Sequence, residues 1–286
     1  MTQFELMPCR WRWTQTAPTR AVQVTARQAA VDWPMPIGAE LNLAAIESQA
    51  GAPRVVNYLR YALVLDRTTA TVAGAALPLT GRRELMVVMK NPSATAPPLL
   101  EETFARLVQY LPMQYAQLRC VNVVPVVTGD VSFLRAGTLS AAAQTYGLAH
   151  WQRRLVDGRR EPVTKRQLGR YDRENARRVG QTVGASGPLS NQAAITQWLA
   201  QHPATDVLLA TGCLRTPVLV DAYARLLTQL SPLGQQGRLK VLGLAADARF
   251  GRNPRPQNPR DALTLVAGTW PLQAVGVQAD RLVSRA

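Results

Sequence analysis

The stretch Leu85-Met86-Val87-Val88-Met89-Lys90-Asn91-Pro92-Ser93 decides the reading of the fold. Its first five residues form a short continuous apolar run, the pattern of a strand buried on both faces of a parallel sheet, and the run stops abruptly at Lys90. Further on, Leu100, Phe104, Leu107, Val108 and Leu111 fall on the stripe of an amphipathic helix. A second buried strand follows over residues 118–124 and ends at Pro125. The same grammar recurs. Ser190 caps a predicted helix carrying Ile195, Trp198 and Leu199, and Asp206-Val207-Leu208-Leu209-Ala210 is a third strand. Thr216-Pro217 then opens a helix with proline at its first position and Leu219, Tyr223, Leu226, Leu227 and Leu230 on one face. Residues 239–244 read as a fourth core strand, and Tyr61-Ala62-Leu63-Val64-Leu65, before the opening stretch, looks like a further one. The alternation predicts an α/β fold, a parallel four-stranded sheet with helices on both faces.

Around that core the chain divides by composition. Residues 58–265 are the expected α/β domain. Residues 1–57, with Trp11, Trp13, Trp33 and several prolines, read as an N-terminal extension of short strands and loops, and residues 266–286 as a C-terminal tail packed on the domain. Residues 131–189, between the second and third core strands, read as a helical basic insertion. Its densest part, residues 151–180, holds ten basic and four acidic residues. Two readings stand for it: a solvated surface, or a phosphate-contacting arm whose candidates are Arg153, Arg154, Arg159 and Arg160.

The 286 residues carry 33 basic and 18 acidic side chains, a net charge of +15, and 47% are apolar, which is enough for a sizeable core and excludes a disordered chain. Only Lys90, Lys165 and Lys240 are lysines; the other basic residues are arginines. The charge brings polyanionic partners forward, DNA above all, duplex or single-stranded. GC-rich coding also writes arginine- and alanine-rich chains, so charge is a prior rather than a proof. Cys9, Cys120 and Cys213 form no CxxC pair, so neither a disulfide framework nor a thiolate zinc site is signalled, and a cytoplasmic setting is expected. With His150 and His202 the only histidines, no metal is expected. No run of 18 apolar residues occurs, and Glu5, Arg10 and Arg12 interrupt the start where a signal peptide would be apolar, so no membrane partner is expected either.

Ligands of open α/β sheets bind outside the carboxyl ends of the strands. Here those ends offer Asn91-Pro92-Ser93, Asn122, Gly212-Cys213 and the segment from Ala245 to Asp261. No GxGxxG, no Walker lysine loop and no Ser-His-Asp set falls among them, so no nucleotide cofactor is expected. Amides and a hydroxyl can hold a neutral polar ring by its hydrogen-bonding edge and place a water beside it, and they can equally be plain turn chemistry. The segment from Arg249 to Arg260 contains Arg249, Arg252, Arg255 and Arg260, no acid, and Phe250 read as an exposed aromatic. It describes a stiff cationic loop able to grip a phosphodiester backbone, or an arginine-rich loop simply bathed in water.

Taken in order, the strand ending in Asn91-Pro92-Ser93, then Glu102-Thr103, Val121-Asn122-Val123-Val124-Pro125, a strand into Gly212, and Leu242-Gly243-Leu244 with a Gly-x-x-Pro-Arg-Pro-x-Asn-Pro tail resemble the bacterial domain-of-unknown-function family 1643 over residues 58–265. That family in turn resembles the uracil-DNA glycosylase superfamily. The resemblance implies hydrolysis of an N-glycosidic bond, with Asn91 and Ser93 at the reacting centre, Pro92 in the turn, Asn122 and Gly212 at the base, and Asn258 contacting it. The departures are specific: Ala94-Thr95-Ala96 replaces a Thr-Ala-Asp continuation, Thr211 stands where Trp is usual, and Asn258-Pro259 stands where His-Pro is usual. Asn cannot become a cation beside a departing base anion. Two other functions therefore stand beside the glycosylase: a non-catalytic nucleic-acid-binding or interaction module on the same fold, and an enzyme of free nucleosides or nucleotides.

Overall fold

The computed structural model describes residues 9–13, 24–26, 62–66, 70–72, 75–77, 83–92, 102–125, 134, 152–154, 160–162, 164–187, 190–255 and 263–285. The main sheet is built from β1 (Cys9–Trp13), β2 (Val24–Ala26), β3 (Leu63–Asp66), β6 (Arg83–Met89), β7 (Tyr115–Asn122), β10 (Asp206–Leu209), β11 (Leu239–Val241), β12 (Gln273–Gln278) and β13 (Arg281–Ser284). Two small hairpins stand apart from it, β4 (Ala70–Val72) with β5 (Ala75–Leu77), and β8 (Gln152–Arg154) with β9 (Arg160–Pro162). The described helices are α1 (Glu102–Tyr110), α2 (Lys165–Val183), α3 (Asn191–Gln201) and α4 (Pro217–Gln235).

The fold is α/β, with a mixed sheet in the order β13-β12-β11-β10-β6-β7-β3-β1-β2. The expectation of a four-stranded, wholly parallel sheet is corrected in extent and in sense. β11, β10, β6 and β7 run parallel at the centre, but β3 lies antiparallel to β7, and β12 lies antiparallel to β11. A strand of apolar run type reports burial on both faces, not the direction of its neighbour, so the sense of β3 and β12, which flank the parallel core, is set by the partners they meet. The segment expected as an appended extension places β1 parallel to β3 in this same sheet, and the C-terminal tail supplies β12 and β13.

Burial follows the two faces of the central strands. Leu85, Val87 and Met89 of β6 join Leu118 and Cys120 of β7 and Leu208 of β10 under Phe104 and Leu107 of α1 and Trp270. Met86, Val88, Val121, Val207 and Leu209 point the other way, against Ile195 and Leu199 of α3 and Leu219, Tyr223, Leu226 and Leu230 of α4. Because every residue from Leu85 to Val88 is fully buried, the opening stretch contributes on the order of 1.5–3 kcal/mol for each of these side chains. The helix starts match their sequence signals. Ser190 caps α3 by accepting from the Ala193 amide at 3.1 Å, and α4 begins at Pro217 after Thr216, whose side chain makes no capping bond.

Candidate functional site

The four central strands are parallel, so their carboxyl ends lie on one edge. Met89 of β6 stands opposite Asn122 of β7, Leu209 of β10 opposite Val88, and Val241 of β11 opposite Leu209. The ladder runs slightly past the strands: the Val123 amide donates to the Met89 carbonyl at 2.8 Å, and the Ala210 amide to the Val88 carbonyl at 2.8 Å. Lys90, Asn91 and Pro92 therefore leave the sheet between the ends of β7 and β10.

Asn91 is half-buried there, and its Nδ2 donates to the Pro92 carbonyl at 3.1 Å; Pro92 itself is buried. Asn122 is 2% exposed, and its Oδ1 has no hydrogen-bond partner. It alternates with Leu118 and Cys120, so its carboxamide belongs to the face covered by α1. A buried, unpaired amide oxygen costs about 1–3 kcal/mol. Such a group is retained where something else requires it. Gly212, just beyond β10, has φ +64, and a Cβ there would stand 3.2 Å from the Cβ of Asn253, so both conformation and space call for glycine. Its amide donates to the Gly251 carbonyl at 2.9 Å.

Residues 249–255 reach this edge through a residue the sequence reading passed over. Asn253 Nδ2 lies 3.4 Å from the Ala210 carbonyl, and its Oδ1 accepts from the Arg255 amide at 2.8 Å. The Asn253-Pro254 pair was the available signal, an asparagine before proline five residues ahead of Asn258-Pro259. Asn258, Ser93, Arg260 and Arg159 lie outside the described residues.

The loop arginines differ from one another. Arg249 forms a two-pronged pair with Asp247, at 3.0 Å from Nε and 2.6 Å from Nη2 to Oδ2. The guanidinium holds the Asp247 carboxyl below its ordinary range, and the carboxylate raises Arg249 in return. Arg252 Nε donates to the Leu244 carbonyl at 3.0 Å, while Arg255 is exposed. The expectation that Phe250 is exposed is corrected: it is 1% exposed and packs on Tyr223 with ring centroids 5.2 Å apart. A loop can be polar in composition and still anchor itself by one ring in the core. In the basic insertion, Arg153 and Arg154 sit on β8 opposite Glu161 and Arg160 of β9.

At the opposite, amino edge lies His202, stacked on Trp198 at 3.9 Å and 8°, just before β10. That edge also holds a buried pair. Tyr115 donates from its hydroxyl to Asp206 at 2.7 Å, and Arg83 reaches the same carboxylate at 3.3 Å. Burial, with the Asp206 carboxylate adding to it, pushes the Tyr115 phenol up to about 12. Among the described residues no three His, Cys, Asp or Glu side chains are grouped to hold a metal, and no helix is long and apolar enough to cross a membrane. The carboxyl edge carries three amide side chains, Asn91 and Asn122 at the ends of β6 and β7 and Asn253 against the Gly212 turn after β10. The chain matches no family model, no curated protein and no solved structure.

Proposed function

We propose that this chain binds DNA through its arginine-rich loop and basic insertion and takes an extruded base at the carboxyl edge of the sheet, where its N-glycosidic bond is hydrolysed. The observation that carries the reading is the Asn122 carboxamide, nearly inaccessible and with an unpaired Oδ1, at a strand end opposite Met89, two residues before Asn91. An unpaired acceptor at a strand end suits a ligand that supplies the missing donor, as the edge of a base does, and a base reaches it when the residues covering it move aside. In the reaction a water oxygen bonds to C1′ of the sugar, the C1′–N bond breaks with its electron pair leaving on the base, and a proton from the water ends on the base. Asn91 orients the water, Asn122 reads the base, and Ser93 and Asn258 contact it, as the resemblance to uracil-DNA glycosylases implies. Base extrusion costs a few kcal/mol, which phosphate contacts from Arg252, Arg255 and the insertion offset.

A second reading is favoured by a specific observation. The three amides of the edge, Asn91, Asn122 and Asn253, cannot take up a proton or become a cation, which suits a binding module on the same fold. Both are decided by one experiment. Duplexes carrying different modified bases are incubated with the protein and then cut with alkali at abasic sites, while fluorescence anisotropy follows binding. Base release that Asn91→Ala abolishes, with binding kept, supports the hydrolase. Binding without release from any duplex leaves the module, and absence of binding at low salt ends both.

A further inference from the structure

We infer that Asn191, the first residue of α3, is a positioning residue that fixes the end of β7 and thereby aims the Asn122 carboxamide. The inference rests on the base-reading role proposed for Asn122, and it starts from a residue far away in sequence. Asn191 is 2% exposed, and its Nδ2 donates to the Asn122 carbonyl at 2.5 Å and to the Val123 carbonyl at 3.2 Å. One amide thus spans the two peptide groups at which β7 leaves the sheet. Beyond that point the ladder weakens: the Val123 amide reaches the Met89 carbonyl at 2.8 Å, but the Val124 amide reaches the Lys90 carbonyl at 3.4 Å.

The clamp is held from its own side. Ser190 anchors the start of α3 twice, donating from Oγ to the Gly184 carbonyl at 2.6 Å and accepting from the Ala193 amide at 3.1 Å. Asn191 Oδ1 has no partner and the side chain lines a small cavity with Thr182, Val183 and Gln192. An apolar residue here would take this donor from both carbonyls, at about 1–3 kcal/mol for a carbonyl left unsatisfied. Asparagine is required if the two carbonyls at the end of β7 need a donor. Backbone and side chain of Asn122 then move together, because the clamped Asn122 carbonyl fixes the peptide group after its Cα while the β6–β7 ladder holds the chain before it, which restricts the direction of its Cβ.

The experiment compares Asn191→Ala with Thr182→Val, which alters the same cavity but takes no hydrogen bond from Asn122 or Val123, since Thr182 Oγ1 donates to the Val179 carbonyl at 2.9 Å. Base release is measured across the panel of modified duplexes, and side-chain amide resonances of Asn122 are followed by NMR in the free protein. We expect Asn191→Ala to lose at least tenfold in discrimination between the best and the next base, with duplex affinity unchanged, and to shift or broaden the Asn122 amide signals. Thr182→Val should lower the melting temperature and leave both readouts as in wild type. If Asn191→Ala does not fold, Asn191→Gln takes its place; it keeps a donor on a longer stem and should shift the same signals. Unchanged Asn122 resonances, or equal changes in the two variants, overturn the positioning role. Absence of base release from wild type refutes the hydrolase reading instead, and the NMR comparison still decides on Asn191.

Discussion

Replacing Gly251 by alanine should damage the protein far more than its position on a surface loop suggests. Gly251 is buried, and a Cβ built on it would overlap the carbonyl oxygen of Leu209 and stand 3.0 Å from Cγ1 of Val241. Both are parts of central strands that cannot retreat. The loop must therefore lift, and with it go the Gly212 amide to Gly251 carbonyl bond at 2.9 Å, the Ala245 amide to Phe250 carbonyl bond at 2.9 Å and the Arg252 amide to Gly243 carbonyl bond at 2.8 Å. At about 1 kcal/mol for each bond and about 1–3 kcal/mol for the forced backbone shift, the loss is roughly 4–6 kcal/mol. For a chain of this size that lowers the melting temperature by roughly 8–24 °C. The matched control is Gly180→Ala in α2, where nothing lies within 4 Å of a new Cβ and the helix should gain about 0.5–1 kcal/mol. Urea unfolding of the two variants beside wild type gives both values. Gly251→Ala within about 1 kcal/mol of wild type would refute the seating of this loop on β10, and with it the placement of Asn253 at the site.

Tyr115→Phe removes the donor to Asp206 and should cost about 1–3 kcal/mol at neutral pH, measured by denaturant titration. Because burial raises the folded Tyr115 phenol from 10.0 to about 12, its contribution is complete below pH about 10 and is lost as pH rises toward about 12; Tyr115→Phe should lack that part of the decline seen in wild type, and an identical alkaline profile would count against the pair. Asp247→Ala should leave Arg249 without its carboxylate, raise duplex affinity at low salt and steepen the salt dependence by about one released counterion, provided that Arg249 meets phosphate; an unchanged slope removes Arg249 from the interface. Since the Asp247 carboxyl is held below its ordinary range, the ion pair persists from neutral pH down through the usual carboxylate range and is lost only as pH falls through that lowered value. Anisotropy between pH 5 and 8 should therefore show no effect of this pair.

Much of the architecture could be read from the chain because it depends on near neighbours. A continuous apolar run such as Leu85 to Met89 reports two-sided burial wherever it lies. Thr216-Pro217 and Ser190 mark helix starts by the needs of the first-turn amides, and the stripe at Leu219, Tyr223, Leu226, Leu227 and Leu230 is the buried face of α4. Asn91 and Asn122 could be placed at strand ends for the same reason. Tertiary structure alone decided the rest. Strand direction and order depend on partners distant in sequence, so the antiparallel β3, β12 and β13 and the entry of β1 into the main sheet carry no local signal. Arg249 reads as a phosphate contact until Asp247 is seen beside it, and Phe250 reads as exposed until Tyr223 receives its ring. Asn191 is an ordinary polar residue after a cap in sequence; it becomes a clamp only because the fold sets the start of α3 against the end of β7, 69 positions earlier. Local chemistry determines what each segment can become, and the long-range contacts that satisfy its backbone groups decide which of those possibilities is realised.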